Sequence, residues 1–280
     1  MRVLPLLAGC LVLAAGCGRS GVLLPGESRG RVDAPFPRAP GTGGEEDPPK
    51  VLATEWVVTL GGLEDDAANA VSVGAGTVAV AGSFRGAFDF GDVALTTVAG
   101  EDDAFVALLG AADGAYAWHA PAGGTAADVA SAVSVHPDGR VVIGGRVESA
   151  SADLGFGTVF GSGDGEGDRF VAAYTAAGAP LWSYLSIFSG RDEVFSTTWT
   201  GFVFAGGDED ASSTDVDSAL ERRNPVGGLV AGGVNHQAAA AGEHLRATGS
   251  DAAGSVYLGA GFFPGDATYA GSAVTAQAED

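Results

Sequence analysis

The side chains able to do chemistry are few and scattered. His119, His136, His236 and His244 show neither an H-x-x-x-H nor an HExxH spacing, so nothing in their order builds a zinc centre. Cys10 and Cys17 both fall within the first 17 residues, which leaves the body of the chain without a disulfide or a thiolate metal site. Lys50 is the only lysine, which removes P-loop and Schiff-base chemistry. No G-x-S-x-G elbow is present. Gly74-Ala75-Gly76-Thr77-Val78-Ala79 matches the dinucleotide fingerprint G-x-G-x-x-A, but that site needs a helix next, and a β-rich run follows. A hairpin turn is expected there. The most ligand-like loop is 161–168, in which glycines alternate with Asp164, Glu166 and Asp168. Its three acids could offer oxygens to Ca²⁺, and a solvated turn between strands is the plainer reading. The acids at 208–210 with Asp215 and Asp217 read the same way. No pair of carboxylates is singled out for glycoside hydrolysis.

Composition narrows the classes further. The 280 residues include 46 glycines and carry a net charge of -21, which argues against nucleic acid and against adsorption to anionic lipid. Small and β-branched residues dominate, as expected for many short strands joined by tight turns.

Residues 1–16 read as a signal peptide: Arg2, an apolar stretch from Val3 to Ala15, then small residues before Cys17. The apolar run is too short for an ordinary membrane span. Leu13-Ala14-Ala15-Gly16-Cys17 resembles the lipobox of bacterial lipoproteins. That resemblance implies cleavage before Cys17 and lipid on its sulfur and amine. Leu7-Ala8-Gly9-Cys10 fits the short pattern too, but would leave a leader of nine residues with Pro5 inside it. Gly18 and Arg19 follow Cys17 in place of the family's retention aspartate, so the resemblance implies outer-membrane placement. A plain secretory signal is the other reading. Residues 17–50, rich in Gly, Pro, Arg and Ser, read as the lipidated Cys and a disordered tether.

Residues 51–280 repeat about every 62 residues. The clearest marker is a strand closed by small residues: Val78 to Gly82, Val141 to Gly145, Phe202 to Gly206 and Val256 to Ala260. Asp66, Asp128 and Asp192 each precede an alternating strand, and Leu245 to Thr248 is its remnant in the last copy. Trp56, Trp118 and Trp182 share one phase, where they could fill the gap between neighbouring sheets. The expected fold class is all-β: propeller-like units of about 62 residues, four in number with the last incomplete. From Asp208 to Gly233 the third copy loses its register, with Glu221-Arg222-Arg223-Asn224-Pro225 standing where a strand is expected.

The order Asp-x-Ala-x-Ala-Val-x-Val, Asp-Gly-x-Val-x-Val-x-Gly, Phe-Gly, Asp-x-Phe-Val-Ala, Gly-x-x-x-Trp resembles the bacterial SBBP-type β-propeller repeat. The likeness is close over 54–182, loose over 183–235 and partial over 236–280. It implies a propeller in an extracellular setting and no shared catalytic residues. The run from Leu109 to Trp118 also resembles the docking turn of quinoprotein-type propellers. Together these lead to the expectation of a non-enzymatic, lipid-anchored binding or scaffold module. It would need no cofactor unless the loop acids hold Ca²⁺, and its partner would be a protein or a glycan. The alternative is a propeller-fold hydrolase or lyase acting on extracellular glycans.

Overall fold

The computed structural model describes residues 11–14, 56–89, 93–163, 165–186, 193–199, 203–212, 215–230, 243–250, 256–262, 266–269 and 272–275. Among these the chain is all-β, in several antiparallel sheets of which none closes on itself. β1 (Leu11–Ala14) pairs in parallel with β2 (Val57–Gly62). Four strands then meander antiparallel: β3 (Asp66–Gly74), β4 (Thr77–Phe84), β7 (Asp103–Gly110) and β8 (Tyr116–Gly124). The hairpin of β5 (Ala87–Asp89) and β6 (Ala94–Thr96) interrupts them and pairs back onto β2.

The second unit repeats the plan with β9 (Asp128–Val135), β10 (Val141–Val147), β13 (Asp168–Tyr174) and β14 (Pro180–Leu185). Its hairpin, β11 (Ser151–Asp153) with β12 (Thr158–Phe160), pairs back onto β8. A third unit holds β15 (Glu193–Trp199), β16 (Val203–Ser212) and β17 (Asp215–Arg223). A fourth begins with β18 (Glu243–Ser250) and β19 (Val256–Phe262), followed by the hairpin of β20 (Asp266–Tyr269) and β21 (Ser272–Thr275).

Alternation explains how the sheets stack. β4, β7, β10 and β13 are buried along nearly their whole length, so each is apolar on both faces. One face of unit 1 (Ala79, Ala81, Val106, Leu108) shares a core with unit 2 (Val133, Ile143, Phe170, Tyr174). The opposite face of unit 1 packs Val80, Phe84 and Phe105 against Leu60 of β2 and Phe88 of the hairpin. Unit 2 in turn shares Ala132, Val142, Val171 and Trp182 with Val194, Trp199 and Val203 of unit 3. A lone sheet of this composition would leave one apolar face wet, so each unit is stable only beside a neighbour.

Three expectations are corrected. The first concerns the third unit, whose described residues keep their register from Asp208 to Arg223. β17 pairs with β16 from Val203↔Arg223 through Ser212↔Asp215, and residues 221–223 are the end of a strand. The Asn224–Gly228 segment after it forms a turn closed by Gly227 N–H to Asn224 O and by Asn224 N–H to Gly228 O. Charge hid this strand. The buried Glu221 carboxylate bridges the buried Arg169 (2.8 Å) and Arg223 (2.8 Å), and Arg223 also lies 3.5 Å over the Tyr184 ring. An ion cluster thus takes the place of the expected apolar side chains.

Second, the small residues that close the marker strands divide between two roles: Gly144 lies against Val194 and Thr197 of the neighbouring third unit, whereas Gly82, Gly145 and Gly207 serve within their own unit. The first and second strands meet at a β-bulge, at Ala68/Ala70 in unit 1, opposite Gly144/Gly145 in unit 2 and at Val194/Ser196 in unit 3. There a first-strand carbonyl occupies the space a Cβ would need: Ala67 O at Gly82, Val129 O at Gly145 and Glu193 O at Gly207. In unit 3 the role falls to Gly207 rather than Gly206. Third, the first strand of the last copy runs over eight residues, Glu243–Ser250, and is not confined to 245–248.

Candidate functional site

The three phased tryptophans mark the junctions between units. Each outer strand carries its Trp onto the turn that follows the third strand of the next unit. Trp56 donates from Nε1 to Ala111 O, Trp118 to Ala176 O and Trp182 to Pro225 O, each at 3.0 Å. At each turn a glycine of positive φ sits beneath the indole: Gly114 (φ +69°), Gly178 (φ +81°) and Gly227 (φ +87°). A Cβ there would come within 2.7 Å of Trp56, 2.7 Å of Trp118 and 2.8 Å of Trp182. Glycine is therefore required twice over, for the left-handed backbone and for the ring above it. The indole contributes a large apolar contact and a satisfied N–H. Arg223↔Leu229 matches Tyr174↔Pro180 in register, which aligns Ala231 with Trp182. The indole side of the next dock is thus missing from the sequence of the third unit.

Acids serve the loops at these junctions. Asp66 Oδ2 accepts Gly62 N–H (2.6 Å) and Asp103 Oδ2 accepts Val98 N–H (2.9 Å). Asp128 is fully buried and accepts from Gly124 N (2.7 Å), Glu148 N (2.9 Å), Ser149 N (3.2 Å) and Ser149 Oγ (2.8 Å). Burial outweighs those four donors and pushes its carboxyl up to about 6. Burial likewise raises Asp66 and Asp103. Asp168 is also buried and accepts Ser162 N–H at 2.6 Å, within the 161–168 loop. Glu166 is exposed at the surface of that loop, and Asp164 lies outside the described residues. Among the described residues no group of three or more His, Cys, Asp and Glu is placed to hold a metal ion.

The remaining polar groups have local partners. His136 Nδ1 lies 2.6 Å from Asp138 Oδ1, and Asp138 also binds Arg140 at 2.8 Å. Arg140 lowers the Asp138 carboxyl well below the ordinary range and stacks 4.5 Å over the ring of Trp199. His119 Nδ1 meets Tyr116 Oη at 2.6 Å, and burial lowers its pKa. The Gly74–Thr77 segment is a hairpin turn with Ala75 (φ +51°) and Gly76 (φ +74°) both left-handed, so no phosphate-binding helix follows it. Cys10, Cys17, Lys50 and His236 lie outside the described residues.

No family model and no curated protein matches the chain. Among the described residues no helix is long and apolar enough to cross a membrane.

The sequence contained the signal for the docks, since Gly-x-x-x-Trp occurs at 114–118 and 178–182. Their direction did not follow from it. The tryptophan four residues after a glycine belongs to the following dock, and each glycine receives the tryptophan of the unit before. Three-residue strands such as β5 and β11 are too short to show alternation, so the back-pairing hairpins have no pattern of their own in the sequence.

Proposed function

We propose that the chain is a membrane-anchored bacterial lipoprotein, held through Cys17, whose propeller-like stack of units acts as a non-enzymatic binding or scaffold module. The observation that carries this reading is the use of the buried and half-buried acids. Asp66, Asp103, Asp128 and Asp168 accept backbone N–H groups at unit junctions, and the tryptophans pin one unit to the next. Residue types that could catalyse or ligate are engaged in holding repeated sheets in a fixed order. Rigid stacks of this kind present extended surfaces for a partner. The resemblance to secreted β-propeller repeats supports the same reading, as does a lipobox followed by a tether.

The test has two arms. Fatty-acid labelling in a bacterial host should mark the full chain and be lost in Cys17→Ser; label that persists in the variant refutes the anchor. The full chain, incubated with extracellular glycans, should bind without releasing products. Turnover that disappears when the acids of one unit's loops are replaced would establish the hydrolase or lyase instead.

A further inference from the structure

Two faces of the described units, one on unit 1 and one on unit 4, match each other. Register makes Val71, Val133, Thr197 and Thr248 equivalent, because each lies opposite the residue two before its unit's bulge (Val80, Ile143, Ala205 and Leu258). In units 2 to 4 this position faces the unit before. Val133 is in the core with Ala79 and Leu108 of unit 1, Thr197 lies 3.2 Å from the Cβ position of Gly144, and Thr248 Oγ1 is 2.8 Å from Ser196 Oγ. Val133 and Thr197 are accordingly 8 % and 7 % exposed, whereas Val71 is 59 % exposed. Two residues on, Trp199 is 4 % exposed and Val73 is 64 % exposed. Val135, the equivalent in unit 2, packs 3.2 Å from the Cβ position of Gly74, and its N–H donates to Ser72 Oγ. Unit 1 therefore carries, at Val71 and Val73, the rear face of an ordinary junction without another unit of the described residues on it.

The other end shows the complementary half. Gly249 takes the register position of Ser72, the forward-facing residue that receives Val135. A Cβ on Gly249 would meet nothing within 4 Å. Val71 and Val73 are thus exposed, and a Cβ on Gly249 has open space, in the same molecule. A third feature belongs to the same end as Val71. β2 is an outer strand docked through Trp56, and among the described residues it lies beside no third strand of its own unit. The edge that β8 gives to β7 carries only Leu11–Ala14 in β2, and that stretch reads as a cleaved leader.

We infer that the Val71/Val73 face of β3, with the β2 edge, is the docking surface for a second copy of this chain, which seats its Gly249 end there head to tail. The argument is continuity with an interface the molecule already makes at each internal junction: β-branched rear residues against Ser, Gly and Ala. Heterologous contacts of this kind close into a ring when the rotation allows and otherwise extend. Two copies supply about eight units, within the range of four to eight in closed propellers. Each copy carries a charge of -21, so association strengthens as added salt screens the repulsion.

The test is disulfide trapping on the full chain in detergent solution, using the Ser72–Val135 contact as the geometric guide. Val73→Cys and Gly249→Cys chains are mixed and oxidised, with the wild-type chain and its own Cys10 and Cys17 as background. The expected result is a mixed covalent dimer that neither variant forms alone, together with a roughly tenfold or greater rise in dimer Kd for Val73→Asp. Val73 is exposed in the single chain, so that variant keeps its fold. The inference is overturned if no mixed dimer forms. It is equally overturned if the Val73→Cys/Gly249→Cys double variant cross-links only within one chain.

Discussion

Replacing Gly178 by alanine separates backbone strain from docking. Gly178 has φ +81°, so any Cβ there carries the left-handed penalty of about 1–2 kcal/mol. The same Cβ would sit 2.7 Å from Cδ2 and 2.8 Å from Cγ of Trp118, well inside contact distance. Trp118 is buried and tied by Nε1 to Ala176 O, so the ring has little room to retreat. Overpacking of this kind costs a further ~1–3 kcal/mol. Gly76 supplies the control, with nearly the same φ (+74°) and nothing within 4 Å of its Cβ position. Gly76→Ala should therefore cost about 1–2 kcal/mol and Gly178→Ala about 2–5 kcal/mol. The assay is urea unfolding of both variants, with a Trp118→Phe background in which the difference between them should shrink. Equal losses for the two alanines would refute the claim that Trp118 is docked on this turn.

Two other predictions concern buried charge. Asp128 has its carboxyl raised from the ordinary 3.8 to about 6, so protons bind the folded chain more tightly than the unfolded one. Its contribution is fully present below the unfolded value and lost as pH rises through 6. At about 1.4 kcal/mol per unit that is roughly 3 kcal/mol, and Asp66 and Asp103 act in the same direction. Thermal melts should thus show a chain more stable at pH 5 than at pH 7.5, and Asp128→Asn should flatten that slope; an unchanged slope in the variant contradicts the assignment. Glu221→Gln removes the charge shared by buried Arg169 and Arg223 and should cost about 3–5 kcal/mol, a loss below 1 kcal/mol placing the cluster in water.

Much of the fold was legible in the residues. Alternation in Ala132–Val135, the Asp-Gly turn at 138–139 and the marker strands located β9 and β10 and their counterparts. Period-two patterning works wherever a strand buries apolar residues, and it failed where Glu221 and Arg223 are held at the junction by ion pairing and stacking instead. A one-dimensional pattern has no means of showing that a guanidinium has a buried carboxylate 52 residues away. The loop acids allowed two readings for the related reason that a carboxylate accepting backbone N–H groups has the same sequence appearance as one awaiting a cation. At Asp168 the acceptance of Ser162 N–H is visible only in three dimensions.

The central claim, that consecutive units are pinned by tryptophan docks and that the third unit keeps its place in the series, meets its most direct test in hydrogen exchange at the indoles. Trp56, Trp118 and Trp182 should show slowly exchanging Nε1 protons in ¹H–¹⁵N spectra, each lost selectively when Gly114, Gly178 or Gly227 is replaced by valine. A Trp182 indole that exchanges as fast as an exposed side chain, or that ignores Gly227→Val, would contradict the account.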